Sequence, residues 1–242
     1  MLEKLNRETL TKVAIPKGEL LGDFLRLFSL IDLELRPVDK SNLVYTIPNL
    51  GLPLLMVAMR ARSIGETLET PERTVSFGFN GSDIALEQEL QTGETLPQTS
   101  QTQPARLVVG TTPNLSDKKQ RQNVETLGEV PNARLLTPYP RLAKEWLSEQ
   151  GLATEVETVE GATEIYWWLD AQCMAILDVV VSGKTYLEND IREVATIMEP
   201  VTITSVSTRR PKADQTVYER DAAVFNDLLR NIRTQLRGRK NI

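Results

Sequence analysis

Histidine is absent from the 242-residue chain and cysteine occurs once, at Cys173. Without imidazole there is no Ser-His-Asp or Cys-His nucleophile pair, no histidine general base and no histidine metal ligand. A lone cysteine excludes intrachain disulfides and cysteine-zinc centres. Aromatic residues are sparse at 5%. No apolar run reaches the ~18 residues that a membrane span needs. Nor is there a basic excess, since 28 Lys and Arg face 33 Asp and Glu for a net charge of −5. That balance argues against broad nucleic-acid or membrane-surface binding and leaves room for a local basic pocket. Chemistry here must come from carboxylates, Lys, Arg, hydroxyls, backbone amides and a metal carried in by a substrate.

What remains is an ordinary globular composition, 40% hydrophobic and 25% charged, with 13 Gly and 13 Pro. The length suits one large or two small lobes. The first residues, Met1 to Thr11, are polar and charged, unlike a secretory signal, so a cytoplasmic location is expected.

Short apolar runs alternate with helical spacing. Lys12–Ile15, Leu54–Ala58 and Val75–Phe79 read as strands. Leu20, Leu21, Phe24, Leu25 and Phe28 share a helical face, and Ser82-Asp83 caps a short helix through Leu90. The Gln/Thr-rich stretch Gln88–Pro104 reads mostly as a flexible surface loop, and Thr111–Asn132 as a second polar insertion. The pattern restarts with strands at Arg106–Gly110, Arg134–Thr137, Thr154–Val159 and Met174–Val181. Helices are expected from Pro140 to Gly151 and from about Ala162. Strands at Val194–Met198 and Val201–Val206 precede a last helix, Gln215–Arg237. This alternation implies an α/β fold of two lobes with parallel sheets covered on both faces. Ligands in such folds sit beyond the carboxyl ends of the strands.

The turns at those ends are therefore where chemistry is expected. Asp178-Val179-Val180-Val181-Ser182-Gly183-Lys184-Thr185 runs from a buried strand into a helix through a hydroxyl, a glycine, a lysine and a second hydroxyl. Free amides, the helix dipole and Lys184 suit a phosphate, although a capped helix start that binds nothing has the same pattern. The earlier glycine of a P-loop would fall at Asp178, so this is not a P-loop NTPase motif. Pro16-Lys17-Gly18, Thr137-Pro138-Tyr139-Pro140 and Gly161-Ala162-Thr163-Glu164 are similar strand-to-helix turns. Taken singly, Lys17 reads first as a solvated turn lysine, and Glu164 equally as a catalytic carboxylate and as one matched to a helix dipole.

Taken in order, these turns resemble the ATP phosphoribosyltransferase family, the first enzymes of histidine biosynthesis. Lys12 to Gly18 resembles the family's opening K-[IV]-A-[IL]-P-K-G-R-L, and Arg60-Ala61-Arg62-Ser63-Ile64 its R-x-R-D-I-P. Gly78, Gly81, Asp83 and Ile84 match D-L-G-I-x-G-x-D-V, and Thr137 to Leu142 matches A-T-x-Y-P-x-L. Gly161 and Glu164 match G-S-V-E. Asp178 to Thr185, with Asn189, resembles the phosphoribosyl-pyrophosphate motif D-[LIV]-V-x-[ST]-G-x-T-L-x-x-N.

The resemblance implies two doubly wound lobes of periplasmic-binding-protein-like (type II) topology with a cleft between them. Lobe I would be residues 1–103 completed by 193–242, and lobe II residues 104–192. It implies displacement of pyrophosphate from phosphoribosyl pyrophosphate by ATP. Lys17, Arg60 and Glu164 would be catalytic. Asp178, Ser182, Gly183, Lys184, Thr185, Thr137 and Gly161 would bind phosphoribosyl pyrophosphate. Gly18, Arg60 and Gly81 would bind the nucleotide. Mg²⁺ would arrive with the substrate, with no protein metal site. The length fits the short form, which assembles as a homo-oligomer with a regulatory subunit related to histidyl-tRNA synthetase.

The chain departs from the family pattern at several places. Glu19 replaces the arginine of P-K-G-R, and Ser63 and Gly65 replace the Asp and Pro of D-I-P. The segment from Glu164 to Asp178 is rewritten around Trp167-Trp168, which reads as packing at the lobe interface. These changes fall on the acceptor side. They leave open transfer of phosphoribose to another base, or a non-catalytic ligand-binding paralogue.

Overall fold

Strand–helix alternation resolves into two α/β units in a computed structural model that describes residues 9–38, 40–97, 104–115, 125–209 and 214–239, without the side chain of Glu19. The first unit comprises residues 1–102 and 202–242, and the second residues 103–201.

In the first unit, β1 (Thr11–Pro16), β4 (Leu54–Met59) and β5 (Val75–Gly81) form a parallel core, with β1 in the middle. These runs are mostly apolar because helices cover both faces. Val13 and Ile15 point to α1 (Glu19–Leu30) and α8 (Gln215–Arg237), packing with Phe24, Phe28, Phe225 and Leu228. Ala14 points the other way, towards Ile64 and Leu68 of α2 (Ala61–Glu69) and Ala85 of α3 (Ser82–Glu87). Gly78 is required by contact rather than by backbone angle, since a Cβ there would lie 2.7 Å from the Ala14 carbonyl oxygen.

Antiparallel strands extend this core on both sides. β2 (Arg36–Pro37) and β3 (Val44–Thr46) continue it beyond β4, and β12 (Ile203–Ser207) and β6 (Gln91–Thr95) beyond β5. The sheet is therefore mixed, not parallel as expected. Five residues of the expected Gln88–Pro104 loop are strand β6, because β12 supplies an edge for a polar segment to pair with. Residues 98–103 and 116–124 of the two polar stretches lie outside the described residues.

In the second unit, β10 (Cys173–Val180), β8 (Arg134–Thr137) and β9 (Glu155–Thr158) run parallel. Across β10 lies the antiparallel β7 (Ala105–Thr111), followed by β11 (Arg192–Val201). β11 pairs with β7, so the chain returns to the first unit at 202, later than the expected 193. Helix α5 (Pro140–Glu149) begins at proline as expected, and α4 (Thr126–Glu129) is a single turn inside the second polar stretch. The helix expected from Ala162 is only a 3-10 turn, Thr163–Ile165, and one turn of α6, Tyr166–Leu169. Tyr166 and Trp167 pack against the second unit's own core, whereas Trp168 is 70% exposed.

One further expectation changes in detail. Ser82 does not cap α3; its Oγ accepts from Thr202 N–H at 3.0 Å, while Ser82 N–H donates to the Thr202 carbonyl at 2.7 Å. Arg233 and Arg239 near the end of α8 pair with the carboxylates of Glu94 and Asp32.

The single thiol lies under the second sheet. Burial pushes Cys173 up from 9.0 to about 12, with the carboxylates of Asp170 and Glu157 adding to the shift. The unfolded chain thus releases this proton first, so the contribution to stability is full below pH 9 and is lost as pH rises towards 12. Native protein should resist iodoacetamide at pH 8 and label on unfolding in urea. The urea midpoint should fall from pH 8 to pH 10.5, and less steeply in Cys173→Ala. Rapid native labelling, or equal slopes in the two proteins, would contradict this.

Candidate functional site

The expected site residues fall into two clusters, one in each unit. Each cluster lies at the carboxyl end of three adjacent parallel strands.

In the first unit, Pro16 pairs with Met59 and Ala14 with Gly78, so β1, β4 and β5 end level with one another. Lys17 and Gly18 leave β1, Arg60 leaves β4, and Gly81 closes β5. Lys17 N–H donates to the Met59 carbonyl at 2.8 Å, which fixes the first turn to the second. Gly18 has φ 81° and ψ −142° and precedes α1, a conformation that favours glycine. Arg60 is extended, with φ −57° and ψ 134°, and its carbonyl accepts from Ser63 N–H at 2.8 Å to start α2. Both Lys17 and Arg60 are exposed, so two cations stand at the carboxyl end of adjacent strands. Gly81 is buried, and its N–H donates to Asn80 Oδ1 at 3.0 Å.

In the second unit, Leu136 pairs with Ile176 and Thr137 with Thr158, which brings the ends of β8, β9 and β10 together. Asp178 is half-buried near the end of β10, and its two oxygens are separately held. Oδ1 accepts from Val179 N–H at 2.7 Å, and Oδ2 accepts from the fully buried Thr163 hydroxyl. Ser182 Oγ accepts from Lys184 N–H at 3.3 Å. Gly183 is left-handed at φ 72° and starts α7 (Lys184–Glu188), where a side chain would be strained. Lys184 and Thr185 are exposed on its first turn. Lys184 Nζ lies 3.5 Å from Glu188, an exposed pair of the kind worth ~0–1 kcal/mol, so the ammonium is readily drawn to an anion.

Gly161 follows β9 at φ 88°, and Glu164 sits half-buried in the 3-10 turn. Thr137 differs from the expected ligand contact. It is fully buried, and its hydroxyl donates to the Leu177 carbonyl at 2.7 Å and accepts from Tyr139 N–H at 2.8 Å. The first bond ties β8 to β10 and the second sets the turn into α5.

Three features of the second cluster are not legible in the motifs. Thr163 holds Asp178 across 15 residues of sequence. Glu193 borders the phosphate-type turn, with Oε1 3.4 Å from where a Cβ on Gly183 would sit, and Arg106 clamps it with bonds of 2.6 and 3.1 Å. Tyr186 lies beneath α7, its ring filling the space left by Gly110. Burial pushes its hydroxyl well above its ordinary range, and the charges of Asp178, Glu193 and Glu164 add to this. These contacts join segments far apart in sequence, so no local pattern marks them. Among the described residues, no group of three or more Asp, Glu or Cys side chains is placed to hold a metal ion, and no helix is long and apolar enough to cross a membrane.

Comparison with known proteins follows the same lines. ATP phosphoribosyltransferases from Pelotomaculum thermopropionicum and Desulfitobacterium hafniense are 27% and 26% identical to this chain over 195 and 227 residues. The first match spans 79% of this chain and 62% of its relative; the second spans 94% and 96%. Among solved structures, the ATP phosphoribosyl transferase (HisG:HisZ) complex from Thermotoga maritima superposes with a TM-score of 0.67 at 18% identity, over 95% of this chain and 100% of that one. The Candida albicans CA3427 product, described as having the generic periplasmic binding protein fold, superposes at 0.52 over 94% of this chain and 71% of its own, at 10% identity. The sequence profile of the ATP phosphoribosyltransferase family, HisG, matches residues 60–234, more than half of the chain. With the motif residues at the strand ends of both units, the chain belongs to the ATP phosphoribosyltransferase family, the pentosyltransferases of the first step of histidine biosynthesis.

Proposed function

We propose that the protein joins ATP to phosphoribosyl pyrophosphate and releases pyrophosphate, with the roles of its residues divided between the two strand-end clusters. The observation that carries this reading is that both halves of the family motif set lie at the carboxyl ends of parallel strands. In the second unit, Ser182, Gly183, Lys184 and Thr185 bind the 5′-phosphate through the α7 amides, two hydroxyls and one ammonium. Asp178, oriented by Thr163 and Val179 N–H, accepts from the ribose hydroxyls. Gly161 lets the backbone approach the substrate and Glu164 faces the reacting centre, while Thr137 supports this end from within the fold. In the first unit, Gly18, Arg60 and Gly81 receive the nucleotide.

The chemistry needs no imidazole. A neutral purine ring nitrogen of ATP uses its lone pair to form the bond to C1′ as the bond from C1′ to the pyrophosphate oxygen breaks, through an oxocarbenium-like transition state. No proton has to leave the nucleophile for that step. What must be stabilised is charge growing on pyrophosphate, which Lys17, Arg60 and the substrate's own Mg²⁺ supply. A regulatory subunit, homo-oligomeric assembly and a cytoplasmic setting belong to the same proposal. The Thermotoga maritima complex supports the first of these.

The test is pyrophosphate release from phosphoribosyl pyrophosphate with Mg²⁺, with and without ATP, beside Asp178→Ala. ATP-dependent release that the variant loses is the expected result. Release with a different purine nucleotide in place of ATP would assign another acceptor, and phosphoribosyl pyrophosphate binding without release for any acceptor would leave a ligand-binding paralogue. A narrower test addresses the phosphate turn. Lys184→Ala and Thr185→Ala should each weaken phosphoribosyl pyrophosphate about tenfold in a calorimetric titration, the size of one charge-assisted hydrogen bond. Unchanged affinity in both would remove that turn from the account.

A further inference from the structure

Asn80 is a fully buried amide at the end of β5, and it stands at a variable place of the family pattern, between Phe79 and Gly81. A buried amide without partners is costly, so where its hydrogen bonds go indicates what it does. Nδ2 donates to the carbonyl of Ala61 at 2.9 Å, and Oδ1 accepts from Gly81 N–H at 3.0 Å. Ala61 is the first residue of α2 and follows Arg60 directly; Gly81 immediately precedes α3. One side chain thus ties two turns that belong to different strand–helix units.

The neighbouring structure makes that tie consequential. β4 and β5 are not adjacent, since β1 lies between them, so no ladder hydrogen bond links the two turns. The β1 turn is joined to β4 by Lys17 N–H and the Met59 carbonyl. Asn80 supplies the link from β5 to α2, on the far side of Arg60. Arg60 itself is exposed and stands one residue before the carbonyl that Asn80 holds.

We propose that Asn80 is a positioning residue that orients Arg60 towards the polyphosphate of the acceptor nucleotide. It locks the start of α2 to the end of β5, so that the guanidinium of Arg60 keeps one direction. The inference rests on the nucleotide reading of the first unit. Asn80 touches no substrate and acts through Arg60.

A double-mutant cycle separates this role from general stability. Wild type, Asn80→Leu, Arg60→Ala and the double variant are titrated with ATP alone and, separately, with phosphoribosyl pyrophosphate alone, with melting temperatures recorded. Asn80→Leu should weaken ATP about fivefold, within the coupling range of residues in one network, and Arg60→Ala about tenfold or more. The double variant should bind ATP no more weakly than Arg60→Ala, and phosphoribosyl pyrophosphate affinity should be unchanged throughout. Asn80→Asp, which keeps the acceptor for Gly81 N–H and loses the donor to Ala61, should match Asn80→Leu and serves if the leucine variant does not fold.

Unchanged ATP affinity in the Asn80 variants would overturn the proposal. So would losses that multiply in the double variant, equal losses for both substrates, or a wild type that does not bind ATP. If wild type binds ATP yet releases no pyrophosphate, the transferase reading fails while the cycle still decides the role of Asn80.

Discussion

Arg60→Ala should lower kcat for pyrophosphate release by about 10²–10³-fold, the usual cost of removing one preorganised charge from a developing anion. The side chain is exposed at the end of β4, so the variant should melt within a degree or two of wild type. Phosphoribosyl pyrophosphate should bind normally, because on the proposed reading Arg60 meets charge that grows only as pyrophosphate leaves. Arg60→Lys should recover only part of the loss, since an ammonium keeps the charge but not the planar fork that takes two phosphate oxygens. A kcat within threefold of wild type in Arg60→Ala would remove Arg60 from the transition state.

Phe225→Ala should have the largest effect on stability. Phe225 is buried on α8, with its ring centroid 5.0 Å from Phe77 and 5.5 Å from Phe79, so it fastens the returning helix to β5. Truncating a buried phenylalanine costs about 3–5 kcal/mol through lost transfer energy and the cavity left behind. For a chain of this size that corresponds to a fall of roughly 10 °C in melting temperature. The loss should be confined to the first unit. Hydrogen exchange of β1 and β5 amides should accelerate while that of β8 and β10 is unchanged. Equal acceleration in both units would show that they unfold together, and no acceleration in β5 would show that α8 does not hold it.

Much of this architecture was legible because strong periodicity and turn chemistry coincide. Arg134–Thr137 is a strand with the expected bounds, followed by Pro138, and Gln215–Arg237 a helix with the expected bounds, opened by Asp214, whose side chain accepts from Val217 N–H. Pro140 opens α5 where a fixed φ and a missing N–H suit the first helical turn. Elements with weak or two-sided patterns escaped. Helix α2 buries only Ile64, Gly65, Thr67 and Leu68, so its apolar face is too small to read. Strands β2 and β3 have two and three residues. β6, with the sequence QTGET, is a strand only because β12 offers backbone partners.

Strand direction was the larger gap. Alternating and continuous apolar runs record which faces are covered, not whether neighbouring strands run parallel. The expected parallel sheets therefore became mixed ones, and β11 joined the second sheet by pairing with β7. The candidate site divided in a similar way. Lys17, Arg60, Gly81, Gly161 and the run from Asp178 to Thr185 were readable because each occupies a turn with its own residue chemistry. The supports of those turns were not. Thr163 against Asp178, Arg106 against Glu193 and Asn80 against Ala61 each join residues between 15 and 87 positions apart.

By itself the sequence determined the catalytic vocabulary. Without histidine, with a single cysteine and with basic and hydroxyl residues at glycine turns, it left anion binding and charge stabilisation as the available chemistry. It also determined the family, through motifs that recur in order along the chain. Only the tertiary structure decided which turns share a strand end, which hydroxyls are spent inside the fold, as at Thr137, and which buried amide holds the cationic turn in place. The reason is physical: local sequence fixes backbone preference and side-chain chemistry, whereas register and long-range hydrogen bonds exist only once distant strands have paired.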